Sequence, residues 1–124
     1  MKDVLFEFYI GDTYTRDLLI SGYSADITQV YFSVKKSNRD KHTVLQKKLT
    51  DGITLVDVQY DGEGNILSRT YNLLIDSDDT ETLTPDIDYV FDFEITSPNN
   101  IKKTILTGTF RVLNTTTRKY NEGV

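Results

Sequence analysis

The chain has 124 residues, a length that suits one domain with its own hydrophobic core rather than two. It contains no cysteine, which excludes disulfides, thiol catalysis, thiolate-held zinc and iron–sulfur clusters. Acidic residues outnumber basic ones 19 to 14, for a formal net charge of -5, so a polyanion is repelled on average and no nucleic-acid partner is expected.

The opening "MKDVLFEFYIGD" is broken by Asp3 and Glu7, which does not read as a secretory signal, so the chain is expected to be made without one. Its alternation puts Val4, Phe6, Phe8 and Ile10 on one side of a strand and Leu5, Glu7 and Tyr9 on the other. "SGYSAD" follows Ile20 as a turn, and "QVYFSVK" then sends Val30, Phe32 and Val34 inward and Tyr31, Ser33 and Lys35 outward. "SNRDKH" is the next turn, "TDG" precedes Ile53, and "YDGEGN" reads as a hairpin turn before Ile66. "LSRTYNLLI" places Leu67, Tyr71, Leu73 and Ile75 together, interrupted by Arg69. "DSDDTETL" opens on Asp residues suited to capping free backbone N–H groups, and Pro85 stops it, which predicts one or two helical turns over Asp78 to Leu83.

"YVFDFEI" then sets Tyr89, Phe91, Phe93 and Ile95 against Val90, Asp92 and Glu94. After "SPNN", "ILTGTFRVL" aligns Leu106, Phe110 and Val112 around Gly108, which marks a bulge or a close backbone approach. About eight short strands with turn-rich joints predict an all-β, antiparallel β-sandwich. The sandwich is expected to occupy 1–114, and 115–124 to form a tail that frays or docks on a neighbour. No segment approaches the roughly 20 apolar residues of a membrane helix, and no membrane partner is expected. The predicted core is Phe6, Phe8, Leu18, Ile20, Val30, Phe32, Val34, Leu73, Phe91, Phe93, Ile95, Phe110 and Val112.

Several clusters invite chemistry. Asp92 and Glu94 share a strand face at a spacing of roughly 7 Å, within reach of a glycosidase pair, but polar residues alternating with aromatics are also what any half-buried strand shows. His42, the one histidine, lies in a polar turn with no nucleophile near it in sequence. Asp76 to Glu81 offers hard oxygen ligands, yet an EF-hand loop would want Gly at Glu81 and Glu at Ile87. Acids at the start of a helical turn explain the run more simply. Asp61 to Asn65 has two glycines and none of the pattern of a phosphate cradle. No catalytic, metal or cofactor residue is assigned. Tyr9, Tyr23, Tyr31 and Tyr60, from a set of eight tyrosines, are candidates for a sugar- or protein-binding surface.

The order of the pieces is the remaining signal. Gly11, Asp12 and Thr13 open it; Asp26, Ile27 and Thr28 lead into the next strand; Asp79, Thr80 and Leu83 form the capped turn. Tyr89, Asp92 and Glu94 follow on a strand, and Gly108, Phe110 and Val112 close the series. In this order the chain resembles the immunoglobulin-like N-terminal domain of phage upper-baseplate proteins and related small phage tail proteins. Two positions depart from that pattern: Arg16 stands where an apolar residue is usual, and Gln29 where the family has Gly.

The resemblance implies an immunoglobulin-like sandwich and a non-enzymatic phage or prophage tail or baseplate structural protein. Such a protein is made in the bacterial cytoplasm and built into the virion. Its expected partners are other tail and baseplate proteins, with copies of itself as a homo-oligomer in the assembly. The alternative on the same fold class is a carbohydrate-binding module using exposed tyrosines.

Overall fold

In the computed structural model, which describes residues 4–114, the alternation of apolar and polar side chains builds one sheet of eight strands. They are β1 Val4–Tyr9, β2 Tyr14–Ser21, β3 Gln29–Lys35, β4 Leu45–Leu49, β5 Gly52–Tyr60, β6 Ile66–Ile75, β7 Tyr89–Ser97 and β8 Ile101–Leu113. Their order across the sheet is β1-β8-β7-β3-β4-β5-β6-β2. Two layers result, β2–β6–β5 and β1–β8–β7–β3–β4, the connectivity of an immunoglobulin-type sandwich with its first strand beside its last. The all-β expectation of about eight strands therefore holds. The tail at 115–124 lies outside the described residues.

Five of the seven pairings are antiparallel and two are parallel. β1 runs alongside β8 from Val4↔Gly108 to Tyr9↔Leu113. β4 meets β5 only at Lys48↔Gly52 and Leu49↔Ile53. There the chain turns a corner instead of folding back, because Thr50 and Gly52 adopt positive φ of 69° and 96°. This corner joins the two layers into one continuous sheet.

The far edges of that sheet meet through side chains. The Tyr14 ring of β2 stacks on Phe8 of β1 at 4.4 Å, and the Arg16 guanidinium lies 4.4 Å from the centre of the Phe6 ring. Arg16 also donates to the Leu5 carbonyl at 3.4 Å. An apolar residue at position 16 would fill this seam but could not bond the edge of β1. A cation over an aromatic face does both.

All thirteen predicted core residues are buried, joined by Leu45, Ile53, Tyr71, Ile75, Leu83 and Tyr89. Phe6, Phe32 and Phe91 form the aromatic centre, with ring centroids 4.5 to 5.5 Å apart. At the start of β7 the buried Tyr89 hydroxyl accepts from the Thr84 N–H at 2.9 Å, the tyrosine corner of immunoglobulin-type sandwiches. Gln29 earns its place by accepting from the Leu49 N–H at 3.0 Å, which a glycine could not do.

The predicted helical turns shorten to a 3-10 turn over Ser77–Thr80. Asp79 completes a capping box at its start: its carboxylate accepts from the Asp76 N–H at 2.7 Å and also takes the Lys47 ammonium at 2.7 Å. Inside β6, Arg69 is buried without a carboxylate partner among the described residues. Its two terminal nitrogens donate instead to the carbonyls of Tyr23 and Ala25 at 2.8 and 2.7 Å, pinning the β2–β3 loop.

Candidate functional site

β3 and β7 are the middle strands of the larger layer, and their outward residues face solvent in register. Ser33 stands opposite Asp92, and Tyr31 opposite Glu94. On the other side of β7, Asp92 pairs with Thr107 and Glu94 with Thr104 of β8, on either side of a bulge. β4 is short and presents Gln46 across from Ser33, with its amide donating to the Ser33 hydroxyl at 3.0 Å. The β3–β4 turn folds Lys41 and Thr43 over this face, and Lys102 of β8 borders it from the other side.

The result is an open trough of about 470 Å³ whose lining residues are all polar or charged apart from the ring of Tyr31. Ser33, only 8% exposed, forms part of its floor. A recess of about 80 Å³ adjoins it, sharing Ser33, Lys35 and Asp92 and reaching Val90 and Phe91. The whole face rests on the aromatic core, since Phe32, Val34, Phe91 and Phe93 point the opposite way from the same strands. Side chains on central strands held from both sides are well positioned to bind.

Asp92 is the pivotal group. Partial burial pushes its carboxyl above the usual carboxylate range, and the positive charge of Lys35 offsets only part of that. Among the described residues neither Asp92 nor Glu94 closes an ion pair or accepts a side-chain hydrogen bond. The two acids thus share one face, as their spacing predicted, in an open trough ringed by Lys35, Lys41 and Lys102.

The other sequence candidates fall elsewhere. His42 is exposed on the β3–β4 turn. In the run Asp76 to Glu81, Asp79 is already engaged by Lys47 and the Asp76 N–H, and no group of three or more metal-binding side chains occurs among the described residues. Asp61 to Asn65 is a hairpin turn between β5 and β6. The Asp61 carboxylate accepts from the N–H groups of Asn65 and Glu63, which hold it below the usual range.

The four tyrosines do not share a surface. Tyr9 closes β1 at the end of the sandwich where Phe8 meets Tyr14. Tyr60 sits at the opposite end, where Ser21, Ser68 and Gln59 lie side by side. Tyr23 is committed to structure, bonding Ser97 through its hydroxyl with Lys103 over its ring. Only Tyr31 reaches the trough.

Neighbouring lysines point to opposite faces: Lys47 is buried while Lys48 is exposed, and Lys102 borders the trough while Lys103 covers Tyr23. The sequence marked Ser33 only as an outward strand residue, and Thr43, Gln46 and Lys41 not at all. None stands out until strand register sets it beside Asp92.

A second surface feature is an unpaired strand edge. Beyond Ile53, β5 has β6 on one side and no strand on the other among the described residues, because β4 pairs with it only at its first two positions. This edge exposes Leu55, Val56 and Tyr60 and carries a bulge between Leu55 and Asp57. Comparison of the chain with protein-family models, with curated proteins and with solved structures gives no match.

Proposed function

We propose that this protein is a non-enzymatic structural component of a phage or prophage tail or baseplate, made in the bacterial cytoplasm and built into the virion through protein–protein contacts. The order of short motifs from Gly11 to Val112 supports the tail assignment. The observation that carries the mode of action is the free edge of β5. Natural sheet edges are usually blunted by lysine, proline, a bulge or a covering element. Between Thr54 and Tyr60 this one has neither lysine nor proline, its only charged residue is Asp57, and the bulge at Leu55/Asp57 leaves the apolar Leu55 and Val56 exposed. Its backbone groups and apolar side chains suit an extended segment of a neighbouring tail subunit, which would add to the sheet as a further strand.

Tail particles purified from the bacterium that encodes the chain provide the test. The protein is expected in those particles by mass spectrometry, and particles that lack it overturn the tail assignment. Val56→Lys changes an exposed position, so the fold is expected to persist. Incorporation of that variant is expected to fall at least about tenfold, since a lysine on an edge opposes strand addition. Equal incorporation overturns the role of the edge.

A further inference from the structure

We infer that the trough between β3, β4, β7 and β8 is a binding site for an uncharged oligosaccharide of about two sugar rings, centred on Asp92. This goes beyond the assembly reading and does not depend on it, because the trough and the β5 edge share no residue.

The argument begins with what the lining can satisfy. Carboxylates only accept hydrogen bonds and ammoniums only donate, whereas the hydroxyls of Tyr31 and Ser33 and the amide of Gln46 do both. An apolar side chain from a protein partner would desolvate all of these and return nothing, a penalty for every group left unpaired. A simple anion would meet Asp92 and Glu94, and a simple cation would meet Lys35 and Lys102. Sugar hydroxyls donate and accept at close spacing, so one ligand can answer both kinds of group.

Size agrees. The trough, at about 470 Å³, falls inside the range of small-ligand sites and exceeds what one monosaccharide needs. The Tyr31 ring supplies a face for the apolar side of a pyranose. Asp92 supplies the strongest contact. It is half-buried, without a hydrogen-bond partner among the described residues, and fixed on a central strand. A carboxylate of this kind is well placed to take two neighbouring hydroxyls through charge-assisted bonds.

The test is a titration of the isotope-labelled chain with maltose, cellobiose, lactose and N,N′-diacetylchitobiose, followed by amide shifts. Each sugar is taken to about 10 mM, where a millimolar binder is mostly saturated. At least one sugar is expected to move the amides around Ser33, Gln46 and Asp92 and to leave those of β5 unmoved. Asp92→Asn, of nearly unchanged shape, is expected to weaken that sugar about tenfold, the loss of one charge-assisted hydrogen bond. Tyr31→Ala is expected to weaken it as well, while Tyr60→Ala at the far end of β5 leaves it unchanged. The inference is overturned if no sugar moves the trough, if the shifts fall elsewhere, or if Asp92→Asn binds as tightly as the natural chain. It is also overturned if glycylglycine or putrescine, run as charged controls, moves the trough amides and the sugars do not.

Discussion

Lys47 shows how one charged side chain on a strand can hold a fold together. It sits on the inward side of β4, 11% exposed, with its ammonium 2.7 Å from an Asp79 carboxylate that is 21% exposed. Gly52, at positive φ, packs against its aliphatic stem, and a Cβ there would run into the lysine's side chain. The pair ties the β4–β5 corner to the 3-10 turn at Ser77–Thr80 across the end of the sandwich. A buried charge costs most when its partner is removed, since the survivor keeps its desolvation penalty. Asp79→Asn is therefore expected to lower stability by about 3 kcal/mol. Adding Lys47→Met to that variant is expected to restore most of the loss, because an apolar chain of similar length suits the same space. Urea unfolding of the two single variants and the double variant checks this through the coupling energy of the cycle. Additive losses would mean that the two groups do not depend on each other.

At the level of strands, β1 depends on a glycine that lies at the far end of the sequence but beside it in space. Val4 lies beside Gly108 in the parallel β1–β8 ladder, and a Cβ on Gly108 would collide with the Val4 carbonyl and press to 2.8 Å from the Phe91 ring. Replacing glycine by alanine where the backbone permits it ordinarily stabilises by a few tenths to about 1 kcal/mol. Here Gly108→Ala is expected to destabilise by about 3 kcal/mol, because the obstacle is backbone held in a ladder. Hydrogen exchange is the sharper check: amides of Val4–Tyr9 should lose protection while β3 and β7 keep theirs. A stabilised variant would refute the close approach. The sequence spacing around Gly108 left bulge and close approach open, and the neighbour that decides between them comes from the other end of the chain. The same limit governs the rest of what could be read in advance. Alternation exposed the inward faces of β1, β3, β7 and β8, because a half-buried strand writes its period into consecutive residues. β4 was obscured by Lys47 and Lys48, which look like surface. The parallel pairings were invisible because they depend on which strands meet, not on what each contains. Asp92 and Glu94 were visible as a shared face, but the trough needs Ser33, Gln46, Lys41 and Lys102, and only cross-strand register brings these together.

For the molecule as a whole, carboxylates pull stability in opposite directions with pH. Arg111 donates to Asp88 at 2.5 Å and to Glu7 at 2.6 Å, and holds Asp88 below its ordinary value of 3.8. The turn amides do the same for Asp61. Groups lowered in the folded state add stability that is present above their ordinary value and lost as pH falls through the lowered one. Asp92 has the reverse sign. Its value is raised by burial, so the folded state holds its proton more tightly than the unfolded chain does. The stability it contributes is fully present below 3.8 and is lost as pH rises through the raised value. At neutral pH the fold therefore carries a charged Asp92 at a net cost, as expected where a carboxylate serves a ligand rather than the fold. Asp92→Asn removes that cost. Its urea midpoint is expected to lie above that of the natural chain at neutral pH, and the gap to close steadily as pH falls toward and below 3.8, where both side chains are neutral. Asp88→Asn should show the opposite trend, less stable than the natural chain at neutral pH and converging with it in acid. A gap for Asp92→Asn that stays constant across pH, or that favours the natural chain, would mean that this carboxylate is stabilised by its surroundings and is not held in reserve for a ligand.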